Sequence, residues 1–310
     1  MRAPVRETMP HCGAIKLTVV ETRSVSPGES APALPVVPTR WEFWQSGPAS
    51  GLRNMAIDAA LLRRVGCAPD DAAPPAVGVW RCYGWSRPTV SFGRNESTRG
   101  RFDAASVAAA GLEAVRRPTG GRALLHSREV TYSAAFPLAS GTSWRVAYDA
   151  VNRILRDALA ALGVDATIVP HGRGILPNPG GPLCFDRPEP GEIVVGGAKL
   201  AGSAVWRERG RYLQHGSILL HDDQSLLVAA ACGPVPVPPD AASLAAILPP
   251  SPSQHHPRDD EELRRAVESS IAARLAANAP VTAFSAGASF DAEAARFETR
   301  FAEHDWLWRR

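Results

Sequence analysis

Cysteine is scarce in this chain, and long apolar runs and an excess of either charge are missing. Of its 310 residues five are cysteines, Cys12, Cys67, Cys82, Cys184 and Cys232, scattered through the chain. They lack the paired spacing of a disulfide framework or a zinc knuckle, so no metal centre is expected. The odd count fits a reducing compartment. No apolar stretch approaches the roughly 18–20 residues that a spanning helix needs, which argues against a membrane role. Arg2 and Arg6 sit near the N-terminus, but no apolar run follows before Glu7, so no secretory signal is expected and the location reads as cytoplasmic. The formal net charge is only +3, too weak for the concentrated basic face of a nucleic-acid binder. It would suit acidic protein partners, with Arg63-Arg64, Arg116-Arg117 and the Arg207–Arg211 run as contact points. The alternative for each is a solvated face, and that reading suits Arg63-Arg64 best. No internal repeat is present. A composition of 45% hydrophobic and 21% charged residues is globular.

Residues 1–39 are rich in Pro, Ser and small side chains and read as a disordered tail, with at most a short strand at Ile15–Val20. Residues 40–310 read as a single domain opening on the aromatic strand Trp41-Glu42-Phe43-Trp44. Gly51–Val65 is a helix with Met55, Ala59 and Leu62 in one stripe. Within it Asn54 is either a helix cap or a site residue. Ala76–Arg81 and Thr89–Phe92 are strands around a turn at Gly84–Pro88. A short helix ends at Val107–Gly111, and Ala114–Arg117 and Val130–Ala135 are strands. Arg145–Leu162 is the clearest helix, with Ser143 as its N-cap and Gly163 as its stop. Ala166–Val169 is a strand. Gln224–Cys232, Ala241–Leu248 and Asp259–Ala277 are helical by period and caps, separated by Pro-rich segments, and Asp291–Glu303 is a terminal amphipathic helix. Strands grouped in meanders with helices between the groups argue for an α+β fold: a mixed central β-sheet packed with helices.

Two stretches carry chemistry. Residues 182–220 read as a three-stranded meander. Glu192–Val195 is a strand, Gly196-Gly197 a two-residue hairpin, Ala198–Trp206 the return strand and Tyr212–Leu220 the third. Its few polar residues are Cys184 in the preceding loop, Lys199, Ser203, Gln214 and His215. An ammonium on a small, apolar strand is costly to bury without a partner, so Lys199 either points to solvent or serves a site. The second stretch is Arg116-Arg117-Pro118-Thr119-Gly120-Gly121-Arg122. Consecutive glycines after a strand let backbone N–H groups approach a ligand's oxygens. His126 follows, as a satisfied structural histidine or a catalytic one, and Tyr83 and Trp85 are either core aromatics or a pocket wall. Cys184, in a Gly/Pro-rich loop with Arg173, Arg187 and Lys199 nearby, could have its thiol pKa lowered to that of a usable nucleophile.

The runs EIVVGGAKLAGSAVWRERGRYLQHGSILL and VRRPTGGRALLHSREVTYSAAF resemble the signatures of the lipoate–protein ligase and octanoyltransferase family, in the expected order. The likeness extends more loosely from Trp41 to Arg310, including Asn54, Met55 and Asp58, the Arg81-x-Tyr83-x-Trp85 and Ser91-x-Gly93-x-Asn95 elements, and the closing Trp306-Leu307-Trp308. The resemblance implies the fold shared with class II synthetases and biotin–protein ligases. It also implies an acyl pocket enclosed by the loop (Arg116, Arg117, Thr119, Gly120, Gly121, Arg122, His126), the strand residues Lys199, Gly202, Ser203 and His215, and the wall residues Tyr83 and Trp85. The Cys184-Phe185 pair is similar to that of octanoyltransferases in the ligase-like branch, which implies a Cys184 thioester intermediate with Lys199 holding the carbonyl oxygen and no cofactor. The implied donor is octanoyl–acyl carrier protein. The implied acceptor is a lysine of a lipoyl domain or of the glycine-cleavage H protein. Competing readings are an ATP-dependent lipoate ligase, an octanoyl amidotransferase acting between lipoyl proteins, and a non-catalytic acyl- or biotin-binding relative. The end at Arg310, with no accessory domain after the Trp motif, tilts the expectation toward a pre-activated donor.

Overall fold

The computed structural model describes residues 38–66, 77–139, 141–171, 188–250 and 258–309. The expected N-terminal tail with its strand at Ile15–Val20, and Cys12, Cys67 and Cys184, lie outside the described residues. The first half of the chain comprises β1 (Arg40–Ala49), α1 (Gly51–Arg64), β2 (Val77–Trp85), β3 (Thr89–Phe92), α2 (Ala104–Ala109), β4 (Glu113–Arg116), β5 (Leu124–His126), β6 (Glu129–Pro137) and α3 (Trp144–Ala161). The second half comprises β7 (Thr167–Ile168), β8 (Ile193–Val195), β9 (Ala198–Glu208), β10 (Arg211–Leu219), α4 (Leu226–Ala229), α5 (Leu244–Ile247), α6 (Asp260–Ala276), β11 (Val281–Ala283), α7 (Ala288–Phe301) and α8 (His304–Leu307).

Helix starts follow their caps. The Ser143 side chain accepts from Arg145 N at the head of α3, and Asp259 accepts from Glu262 N at the head of α6, whose first turn is acidic, as the helix dipole favours. The cap of α1 is Ser50, which accepts from Arg53 N. Asn54 is therefore not the cap: it is buried, and its amide donates to the carbonyls of Ala49 and Gly84. The strand expected to end at Arg81 runs on to Trp85, because β1 pairs with it as far as Ala49 opposite Trp85. The two helices expected over Gln224–Cys232 and Ala241–Leu248 shrink to single turns. Gly233 with the prolines after it, and Pro249-Pro250, leave too few residues to offset helix nucleation. The Gln224 side chain instead clamps the backbone of β5, accepting from Leu125 N and donating to Leu125 O.

The main sheet has the order β11-β1-β2-β6-β10-β9-β8-β7. It is mixed: β1 lies parallel to β11 and β2, and the remaining pairs are antiparallel. A smaller sheet, β4-β3-β5, stands beside it. Strand alternation sorts the side chains of β6 between two cores. Val130, Tyr132, Ala134 and Phe136 join Trp80, Tyr212, α3 and α6 on one face. Ala135, with Tyr83 and Leu213, packs against α1 and α7 on the other. The small sheet closes a third core around Phe92, Phe102 and Leu125, with Trp308 packed against it. No helix among the described residues is long and apolar enough to cross a membrane.

Leu155 on α3 is fully buried in the first core. Leu155→Ala is expected to lower unfolding free energy by about 2–5 kcal/mol, read from the midpoint of a urea denaturation curve.

Candidate active site

Gly196 and Gly197 both take positive φ, 57° and 85°, as a two-residue hairpin between twisted strands demands. Immediately after it β9 bulges. Val194 pairs with Lys199 while its neighbour Ile193 pairs with Ala201, so Leu200 is an extra residue. Leu200 and Ala201 both enter the α3-side core, and the bulge re-aims the strand. Lys199 and Gly202 then share the other side, where a Cβ on Gly202 would lie 2.7 Å from Lys199 Cε. Only glycine leaves that space. Lys199 is 3% exposed, which removes the solvent-edge alternative, and its Nζ lies 2.7 Å from Glu192 Oε1. Burial pushes the Glu192 carboxyl above its usual range, and the charge and hydrogen bond of Lys199 offset part of that rise. Glu192 is a residue that sequence reasoning missed. The signal was there: an ammonium on an apolar strand demands an anion.

The arginine loop joins the small sheet to this meander. Arg116 donates to the carbonyls of Leu307, Gly93 and Glu96, and so ties the loop's root to the C-terminal turn rather than facing the cavity. Arg117 donates to the carbonyls of Gly120, Ser91 and Arg122, and Arg122 pairs with Glu189 at 3.1 Å. Gly121 has φ 95°, and a Cβ there would sit 2.6 Å from Arg117 Nη2, so the loop's shape requires glycine at that position. Thr119 Oγ1 meets His215 Nε2 at 2.7 Å.

Two buried histidine networks stand behind this loop. His215 Nδ1 lies 2.9 Å from Asp58 Oδ2. Asp58 also takes Arg81 at 3.1 Å and the Tyr83 hydroxyl at 2.9 Å. Burial alone would raise the Asp58 carboxyl, but the hydrogen bond from His215 and the charges of Arg81 and His215 outweigh it and hold it below its usual range. His126 stacks on Trp85 with ring centroids 4.0 Å apart. Its Nδ1 lies 2.7 Å from Glu129 Oε1 and its Nε2 2.7 Å from Ser91 Oγ. Burial pushes the His126 pKa down despite Glu129 beside it. Ser203 faces the other core, 2.6 Å from the Tyr132 hydroxyl.

Between these elements lies a cavity of about 550 Å³, within the range of small-molecule sites. Its walls are Met55 and Tyr83, the loop residues Arg117 and Gly120–Arg122, Leu124, His126 and Thr131, the 202–205 segment of β9 and the 215–217 segment of β10. Asn95, Trp144, Arg145, Tyr148, His171, Glu189, Pro190, Glu192 and Arg207 complete it. The expected residues Arg117, Gly120, Gly121, Arg122, His126, Gly202, Ser203, His215 and Tyr83 thus converge. Trp85, Thr119 and Lys199 stand one contact behind, and Arg116 lies apart. His171 and Glu189, which flank residues 172–187, both line the cavity. Among the described residues no group of His, Cys, Asp or Glu is placed to hold a metal ion.

The model of the lipoyl protein ligase A/B catalytic domain matches residues 50–262. The chain is 40% identical over 198 residues to octanoyltransferase LipM of Anoxybacillus flavithermus, covering 60% of this chain and 68% of that protein. It is 38% identical over 198 residues to octanoyltransferase LipM of Bacillus subtilis, again over 60% of this chain and 68% of the relative. Among solved structures, lipoate-protein ligase A bound with ATP superposes with a TM-score of 0.67 at 19% identity, covering 87% of this chain and 98% of that one. The Thermoplasma acidophilum putative lipoate protein ligase Ta0514 with bound lipoic acid gives 0.64 at 18% identity, over 88% and 100%. These two likenesses show a shared fold, in agreement with the α+β expectation.

Because the fold favours a neutral His126 ring, the unfolded chain binds more protons than the folded one as pH drops below the ordinary histidine range, and stability falls with it. His126→Gln is expected to shrink the loss of stability between about pH 7 and about pH 5, measured as the difference in urea midpoint at the two values.

Proposed function

The chain belongs to the lipoyl protein ligase A/B catalytic-domain family, and from that membership we propose that it transfers an octanoyl group from a carrier-bound thioester to a lysine of a lipoyl domain or H protein. The observation that carries this reading is a cavity with apolar walls, bounded by the Gly120-Gly121 loop and by Glu192, the carboxylate partner of buried Lys199, in a chain so similar to octanoyltransferases. Burying the six methylenes and terminal methyl of an octanoyl tail is worth roughly 5–6 kcal/mol at about 0.8 kcal/mol per carbon, and the side chains of Met55, Leu124, Val205 and Trp144 line the cavity to receive it.

The proposed nucleophile is Cys184. It lies five positions before the cavity residue Glu189, a chain reach of at most about 18 Å, and His171 at the other end of the stretch also lines the cavity. Its thiolate attacks the thioester carbonyl, the carrier's thiolate leaves, and an S-octanoyl enzyme forms. The acceptor amine then attacks that carbonyl, the Cys184 thiolate leaves, and an amide remains once the amine has lost its proton. Lys199, directly behind Gly202 and Glu192 of the cavity wall, is the proposed donor to the oxyanion in both steps, aided by N–H groups of the Gly120-Gly121 loop. Of the two histidines, His215 is the proposed proton acceptor, because it lines the cavity with its ring oriented by Asp58, whereas burial opposes a charged ring at His126.

Octanoyl–acyl carrier protein is expected to modify an apo lipoyl domain without nucleotide, and wild-type enzyme with donor alone is expected to gain one octanoyl mass that Cys184→Ala does not. Brisk ligation of free octanoate or lipoate only with ATP and magnesium would favour a ligase instead. An octanoyl-H protein preferred to the carrier as donor would favour an amidotransferase.

Lys199→Ala is expected to lower kcat by roughly 100- to 1,000-fold, the usual loss for an oxyanion donor, and Lys199→Arg is not expected to restore it. Steady-state kinetics with the carrier-bound donor checks both.

A further inference from the structure

A second groove, of about 650 Å³, opens beside the acyl cavity and shares Gly120, Val205 and Arg207 with it. Leu138, Val205 and Trp206 line it with Arg94, Arg207 and Arg209, and with Arg211, which donates to the Val65 carbonyl. The Arg94 guanidinium lies over the Trp206 ring at 6.0 Å. Among the described residues none of Arg94, Arg207 and Arg209 is ion-paired: the one carboxylate along the groove, Glu208, is engaged by Arg63 at 3.2 Å. Arg209 forms the tip of the β9–β10 turn with φ 48°, and among the described residues it is alone among non-glycines in taking a positive φ. That turn favours Asn or Gly at its first position. An arginine held there against its backbone preference points to a use for its charge.

We propose that this groove receives the phosphorylated pantetheine arm of the acyl carrier protein. The arm's thioester end enters the acyl cavity past Gly120, its apolar middle runs over Leu138 and Trp206, and Arg94 and Arg209 engage the phosphodiester where the arm joins the carrier. The groove sets Leu138, Val205 and Trp206 beside arginines that have no carboxylate partner among the described residues, which matches an arm that carries both an uncharged chain and a phosphate. Guanidinium forks suit phosphate in particular. This proposal rests on the thioester-donor reading above and names how that donor is held.

The test compares octanoyl-pantetheine, octanoyl-phosphopantetheine, octanoyl-CoA and the octanoyl carrier protein as donors to an apo lipoyl domain. The phosphate is expected to lower KM by about tenfold or more, and Arg94→Ala and Arg209→Gly are each expected to shrink that advantage several-fold. Arg209→Gly removes the positive-φ side chain, so it should raise the melting temperature while it weakens the donor, which a purely structural arginine would not do. Equal KM with and without the phosphate, or an undiminished advantage in both variants, would overturn the proposal. Octanoyl-CoA as good a donor as the carrier protein would overturn the carrier as the source. Equilibrium binding of carrier protein with and without its arm separates this idea from the catalytic one. Tighter binding of the armed carrier, with the difference lost in Arg94→Ala, supports the groove even if no thioester is turned over. Equal binding refutes it.

Discussion

Asp58 is enclosed on every side and still holds its charge, and the arrangement that permits this organises one whole face of the main sheet. Its carboxylate gathers Arg81 and Tyr83 from β2 and His215 from β10. Arg81 in turn is bound to Asn54 Oδ1 on α1 at 2.7 Å. One turn of helix is thereby pinned to β2 and β10, and His215 is fixed in ring orientation with its Nε2 toward Thr119. Removing either member of the Arg81–Asp58 pair would leave an uncompensated buried charge, a loss of about 3–5 kcal/mol. A face built on such a pair gains little net stability from it. What it gains is a single allowed geometry for the groups attached to it.

The fold class, the clearest helix and the hairpin at Gly196-Gly197 were legible because each depends on local pattern: period, cap and paired glycines. So was the need of Lys199 for a partner if buried, since its strand is otherwise small and apolar. Glu192, seven residues earlier, was not recognised as the partner: the contact runs diagonally across the hairpin, from Lys199 opposite Val194 to the residue two places before Val194. The link from Asp58 to His215 joins residues 157 positions apart, and no periodicity carries information over that distance. Resemblance brought both residues into view, but not their contact. Arg116 and Arg117 looked alike in sequence. The alternation of β4 and the turn after it separate them, sending one guanidinium to the C-terminal turn and keeping the other at the cavity. The overestimated helices near residues 224–248 show the opposite error, in which local propensity is overruled by the prolines that follow and by the pairing of Gln224 with β5.

The two faces of the main sheet divide the work. The α3 side is aromatic and close-packed, with Trp80 stacked on Tyr132 and Trp41 edge-on to both Trp80 and Phe136. The α1 side carries Asp58, Arg81, Glu129 and the two histidines. The cavity draws on both, reaching Trp144, Tyr148 and Val205 as well as His126 and His215. An acyl tail needs apolar walls and its carbonyl needs donors. A site at the boundary between an aromatic core and a polar face offers the two.

The Lys199–Glu192 pair is the point where this division acquires a chemical consequence. A free ammonium in so enclosed a place would tend to lose its proton, because burial disfavours the charged form. Glu192 opposes that loss and holds the cation in position before any substrate arrives. Burial also disfavours the Glu192 charge, and Lys199 offsets part of that. In the proposed reaction a carbonyl oxygen that gains negative charge would attract Lys199 at the moment of bond formation, whereas a neutral thioester carbonyl offers much less. The interaction therefore strengthens on the way to the tetrahedral intermediate, which is the condition for raising a rate rather than merely tightening binding. The bulge at Leu200 and the missing side chain of Gly202 are what the backbone contributes to that end: one turns the lysine to the working side, the other leaves room for it to lie there.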